Sequence, residues 1–124
     1  MSQQTILVVE DSDDIRLLLK MALEMKGYRV VEAADGRQAI ERAVKEGPQL
    51  ILMDLSMPLM DGWEATRKLR QLEQFRETPI VAVSAHGSGM MRAAAIQAGC
   101  DAVFQKPVDN HAMDRILSEY LVIH

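Results

Sequence analysis

The sequence predicts an α/β domain in which one parallel β-sheet carries helices on both faces. Three observations lead there. Short, unbroken apolar runs recur along the 124 residues, each long enough for a buried strand and too short for a helix. Between them lie segments with helical spacing, opened by Ser or Asp and most of them closed by Gly. The alternation holds to the end of the chain, and right-handed crossovers between parallel strands leave few other arrangements.

The elements can be taken in order. Ile6 to Val9 reads as a buried strand. Ser12, Asp13 and Asp14 then cap a helix whose Ile15, Leu18, Leu19 and Ala22 form an apolar stripe, and Gly27 stops it. Arg29 to Ala33 is the second strand; Asp35 caps a helix bearing Ala39, Ile40 and Ala43, which Gly47-Pro48 ends. Gln49 to Met53 is the third strand, and Trp63 to about Phe75 a charged amphipathic helix. Pro79 to Ser84 is the fourth strand, and Gly89 to Ala98 a helix rich in Ala and Met, closed by Gly99. Ala102 to Gln105 is a short strand, and Asn110 to about Val122 a last helix with Ile116, Leu117 and Tyr120 facing inward.

Size and composition bound the function. A chain of 124 residues, 48% hydrophobic and 26% charged, supports one domain with its own core, spanning residues 1–124 with no room for an output domain. The net charge is −4 and no Lys/Arg run occurs, which argues against direct nucleic-acid binding. Cys100 has no second cysteine to pair with, and neither a leader peptide nor a membrane-length apolar run is visible. A cytoplasmic location without membrane contact is expected.

In open parallel sheets, sites form beyond the carboxyl ends of the strands. Four such ends carry chemistry here: Glu10-Asp11, Asp54, Ser84 and Lys106-Pro107. Like charges a few ångströms apart cost about 4 kcal/mol per close pair at an effective dielectric of 20, so the carboxylates call for a cation. Hard oxygen ligands suit Mg²⁺. An aspartate can attack phosphorus, a transfer that needs positive charge and hydrogen-bond donors around the phosphoryl oxygens more than acid-base groups. Lys106, the metal and Ser84 would supply them. Each residue alone has a simpler reading, as a helix cap, turn former or solvated side chain, and Asp13 and Asp14 keep that reading. Their conjunction at four strand ends is what points to phosphoryl chemistry.

The segments Ile6-Leu7-Val8-Val9-Glu10-Asp11, Met53-Asp54-Leu55-Ser56-Met57-Pro58-Leu59-Met60-Asp61-Gly62, Pro79-Ile80-Val81-Ala82-Val83-Ser84-Ala85 and Lys106-Pro107 together resemble the receiver domains of two-component response regulators, over essentially the whole chain. The resemblance implies a flavodoxin-like doubly wound sheet of strand order 2-1-3-4-5 with five helices. It implies Asp54 as phosphoacceptor, Glu10 and Asp11 as the acidic pair that positions Mg²⁺, and the backbone carbonyl of Ser56 as a further ligand. Ser84 would be the hydroxyl switch residue, and Lys106 the partner of the acceptor carboxylate or its phosphate. Pro58 and Gly62 would shape the acceptor loop, the Lys106-Pro107 peptide would be cis, and Ser56 and His86 would tune dephosphorylation.

One position departs from the family pattern. Three residues before the lysine, where Tyr or Phe is usual, stands Val103, and the strand period turns the adjacent Phe104 to the opposite face. The ring movement of the family has no ring here. Movement of the Ala85 to Ser88 segment, with exposed Met90 or Met91, is expected in its place.

By the same resemblance, the chain is a stand-alone switch that accepts a phosphoryl group from a sensor histidine kinase or a histidine phosphotransfer domain. It would assist its own phosphorylation and dephosphorylation without turning over an external substrate. An unidentified downstream protein would contact the Gly89–Ala98 helix, the last strand and the last helix; the first helix around Ile15 and Leu19 resembles the kinase-docking region. Three alternatives remain at this point. A haloacid-dehalogenase-type phosphatase would need a second Asp where Ser56 stands, and a nucleotide binder would need glycines where Glu10-Asp11-Ser12-Asp13 stands. A phosphorylation-independent receiver would not need the full set of site residues.

Overall fold

The computed structural model describes residues 3–56, 61–85 and 89–121. Among them the chain alternates strand and helix: β1 (Thr5–Val9), α1 (Asp13–Met25), β2 (Arg29–Ala33), α2 (Gly36–Glu46), β3 (Leu50–Asp54), α3 (Asp61–Gln71), β4 (Ile80–Ser84), α4 (Gly89–Ala98), β5 (Ala102–Gln105) and α5 (Asn110–Tyr120). All strand pairs are parallel, in the order β2-β1-β3-β4-β5. This is the flavodoxin-like topology.

Strand alternation divides the apolar side chains between two cores. Leu7, Val9, Ile51, Met53, Ile80, Ala82 and Val103 point to the face covered by α2, α3 and α4. Ile6, Val8, Leu50, Leu52 and Val81 point to the face covered by α1 and α5, where Leu23, Met113, Ile116 and Leu117 meet them. Both faces of the central strands are buried, which is why these strands read as continuous apolar runs. Phe104 packs on the second face with the Arg115 guanidinium 5.7 Å from its ring centre, opposite Val103.

Helix ends obey their capping chemistry. Asp35 Oδ1 accepts the Gln38 N–H at 2.8 Å while Gln38 Oε1 accepts the Ala34 N–H at 2.9 Å. Asp109 Oδ1 caps α5 through the Ala112 N–H at 2.8 Å, and Ser12 Oγ receives the Ile15 N–H at 3.4 Å. Gly47 closes α2 at φ +58°, a left-handed conformation in which glycine is unstrained.

Two boundaries and the face of one helix differ from the sequence expectation. Pairing of β3 runs one residue later, from Leu50 to Asp54, because Asp54 still pairs with Val83 of β4. The helix expected from Trp63 to about Phe75 ends at Gln71, and a single 3-10 turn at Glu73–Phe75 turns Phe75 into the core. Arg70 fixes that turn: its guanidinium donates to the Phe75 carbonyl, to the Thr78 carbonyl at 2.7 Å and to the Gly99 carbonyl at 2.8 Å, and meets Asp101 Oδ2 at 2.9 Å. Asp101 Oδ2 in turn accepts the Ile80 N–H at 2.8 Å, tying the start of β4 to the same cluster.

The third difference concerns α1. Its expected stripe does not face the sheet throughout, since Ile15 is 41% and Leu18 67% exposed and Leu23 makes the buried contact. Ile15, Leu18, Leu19 and Ala22 instead form one wall of a groove of about 500 Å³, with Val108 and Met113 opposite. Two helices cover this face of the sheet less completely than three cover the other.

Candidate phosphoacceptor and metal site

The carboxyl edge of the sheet brings the expected residues together. β1 delivers Glu10, 2% exposed, and the exposed Asp11; β3 ends on Asp54, 2% exposed; β4 ends on fully buried Ser84; Lys106 comes directly after β5. Backbone bonds continue the sheet to these positions, from the Glu10 N–H to the Ala33 carbonyl at 3.0 Å and from the Lys106 N–H to the Ser84 carbonyl at 2.8 Å. The side chains therefore leave a rigid edge.

Lys106 Nζ stands 3.1 Å from Glu10 Oε1 and 3.1 Å from Asp54 Oδ2. The Ser12 N–H supports Glu10 Oε2 at 3.0 Å, and the Ser56 N–H supports Asp54 Oδ1 at 2.8 Å. Asp54 Oδ2 has the lysine charge beside it but no aligned hydrogen bond. Burial pushes the Glu10 carboxyl up to about 7; the Ser12 amide opposes this, while Asp54 and Asp11 add to it. Burial disfavours the Lys106 charge, yet Asp54 and Glu10 outweigh it and hold the ammonium above the ordinary lysine range. One lysine thus serves a cluster that remains short of positive charge.

Carboxylate oxygens of Glu10, Asp11 and Asp54 all lie within 4.8 Å of one another. Three hard oxygen donors, two of them buried and one oxygen without a hydrogen bond, fit a divalent cation such as Mg²⁺. Gly62 approaches from α3 so closely that a Cβ there would collide with the Asp54 carbonyl oxygen. The Lys106-Pro107 peptide is cis. Pro58 and His86 lie outside the described residues.

Several participants were not legible in the sequence. The Ser56 hydroxyl accepts the Ala85 N–H at 3.0 Å, joining the segments beyond the ends of β3 and β4. The Ser84 hydroxyl donates to Met91 Sδ at 3.6 Å. Met90 is 86% exposed as expected, whereas Met91 is half-buried and packs on the core beneath α4. Arg16 donates to the Glu10 carbonyl at 2.9 Å and pairs with Asp13 and Glu32, fixing the turn after β1. An arginine three residues after Asp13 was the available signal for that pairing.

Known proteins place this edge in context. The family described as response regulator receiver domain matches residues 6–118. A Leptolyngbya boryana protein described as an uncharacterized 14.6 kDa protein is 34% identical over 97% of this chain and 92% of its own length. The Staphylococcus aureus transcriptional regulatory protein SrrA is 40% identical over 82% of this chain, but the match spans 41% of SrrA. Among solved structures, Vibrio cholerae chemotaxis protein CheY4 superposes with a TM-score of 0.91 at 29% identity, covering 96% of this chain and 99% of CheY4. The receiver domain of Pseudomonas aeruginosa sensor histidine kinase PA1611, solved with a magnesium ion coordinated in its active-site cleft, gives 0.87 at 36% identity, covering 97% and 98%.

The chain belongs to the response regulator receiver domain family, the signalling modules of two-component systems. That membership displaces the phosphatase and nucleotide-binder readings. Among the described residues, no helix is long and apolar enough to cross a membrane.

Proposed function

We propose that this receiver takes a phosphoryl group from a phosphohistidine onto Asp54 in a Mg²⁺-dependent reaction and loses it by hydrolysis. The observation that carries the reading is Lys106 Nζ at 3.1 Å from two buried carboxylates, one of them the residue that ends β3. One Asp54 oxygen forms the new bond to phosphorus as the bond to the donor imidazole nitrogen breaks, and the electron pair leaves with the imidazole. Lys106, the Ser84 hydroxyl and nearby backbone amides face the charge on the equatorial oxygens. Glu10, Asp11, Asp54 and the Ser56 carbonyl would hold Mg²⁺, which when bound offsets the negative charge of the carboxylates and the phosphoryl group.

The donor is a sensor histidine kinase or a histidine phosphotransfer domain. The groove between α1 and α5 supports this, because its apolar wall of Ile15, Leu18 and Leu19 leads to Glu10, Asp54 and Lys106. Output passes to a second protein through α4, β5 and α5. Mass spectrometry after treatment with acetyl phosphate and Mg²⁺ should show one base-labile adduct that Asp54→Asn abolishes. The same adduct in that variant would remove Asp54 from the role.

A further inference from the structure

The hydroxyl of Ser84 carries one proton, and that proton is directed at sulfur: Ser84 Oγ lies 3.6 Å from Met91 Sδ in the first turn of α4. Ser84 is fully buried and belongs by strand period to the same sheet face as Ala82 and its cross-strand partner Val103. Met91 packs on that face too. We propose that Met91 is a positioning residue for phosphorylation, holding the Ser84 hydroxyl proton on its thioether until a phosphoryl oxygen takes it, so that α4 is released from the end of β4. The inference rests on Asp54 being the acceptor.

A thioether is a weak acceptor, whereas hydrogen bonds to an ionised oxygen are short and strong. The proton cannot serve both. Its transfer of allegiance is therefore downhill once the anion is present, and the sulfur contact is one that it must leave. Met91 is also suited to the repacking that release requires, because an unbranched side chain with three rotatable bonds can refill the space that Ser84 vacates. Val103, branched and 5% exposed, cannot sweep as a ring would. The moving part beside the hydroxyl is on α4 instead of β5.

Beryllofluoride, a phosphoryl mimic, tests this in the presence of Mg²⁺. Met91→Leu keeps the bulk and removes the acceptor, so it should bind beryllofluoride about threefold more tightly than wild type, the low end of the range for one hydrogen bond because a thioether is a weak acceptor. In a Ser84→Ala background the same substitution should change affinity by less than about twofold, because no hydroxyl is left to release. Equal affinity in wild type and Met91→Leu, or the same gain without the hydroxyl, would overturn the assignment while leaving the acceptor reading intact. Failure of wild type to bind the mimic would overturn both. Should Met91→Leu not fold, methyl-labelled methionine spectra of the wild-type chain serve, with the signal assigned through Met91→Ile. Beryllofluoride should shift the Met91 methyl resonance, and a resonance that keeps its position would refute the role.

Discussion

Lys106 Nζ and Asp54 Oδ2 are 3.1 Å apart, and among the described residues no aligned hydrogen bond reaches that oxygen, so it has charge nearby and lone pairs uncommitted. The open geometry leaves the carboxylate competent to bind something else.

Added Mg²⁺ should raise the melting temperature, because Glu10, Asp11 and Asp54 converge only in the folded chain. Linkage gives about 2.7 kcal/mol at one hundred times the dissociation constant. Asp11→Asn, which removes an exposed ligand without opening the core, should suppress most of the shift. Calorimetry with and without millimolar Mg²⁺ measures it, and an indifferent wild type would exclude the metal site.

In EDTA, stability should fall as pH rises from about 4.5 to about 7. The sign is set by Glu10, whose folded pKa is raised to about 7 from 4.5, so the native state holds a proton that the unfolded chain gives up. Its favourable contribution is complete below the unfolded value and disappears through the folded one. The ceiling is about 3 kcal/mol. Urea unfolding at several pH values should show this slope in wild type and a flatter one in Glu10→Gln; parallel slopes would assign the dependence to other groups.

Gly62→Ala should destabilise by about 1 to 3 kcal/mol, since the added methyl meets the Asp54 backbone carbonyl, which the sheet holds in place. The same displacement should slow acetyl phosphate labelling. Chemical denaturation and the labelling rate report the two effects separately, and a variant unchanged in both would show that α3 shifts to accommodate the methyl.

Strands and site were legible for a shared reason. Runs such as Ile6 to Val9 are apolar because both faces of the sheet are covered, and the residue at each run's carboxyl end falls at the edge that carries the candidate site. The first helix was only half legible, because helical period marks an apolar stripe without saying what lies against it; Leu18 lines an open groove. Contacts between distant elements left no trace in sequence. Ser84 with Met91, Ser56 with Ala85 and the carbonyls gathered by Arg70 depend on how helices settle on the sheet. Val103, standing where the family resemblance led one to expect a ring, was the departure visible in the sequence at this face.

β4 is anchored by the Arg70–Asp101 cluster at the end remote from the acidic cluster. Its root, Ile80, is clamped by Asp101 through both the backbone and the carboxylate, with the guanidinium bracing the clamp from α3. Its tip is Ser84, roughly 13 Å away at 3.3 Å per residue. β3 and β5 hold the strand between these two points on both sides, so the Arg70–Asp101 clamp fixes the end remote from the acidic cluster, and the Ser84 end is left to the contacts that α4 makes there.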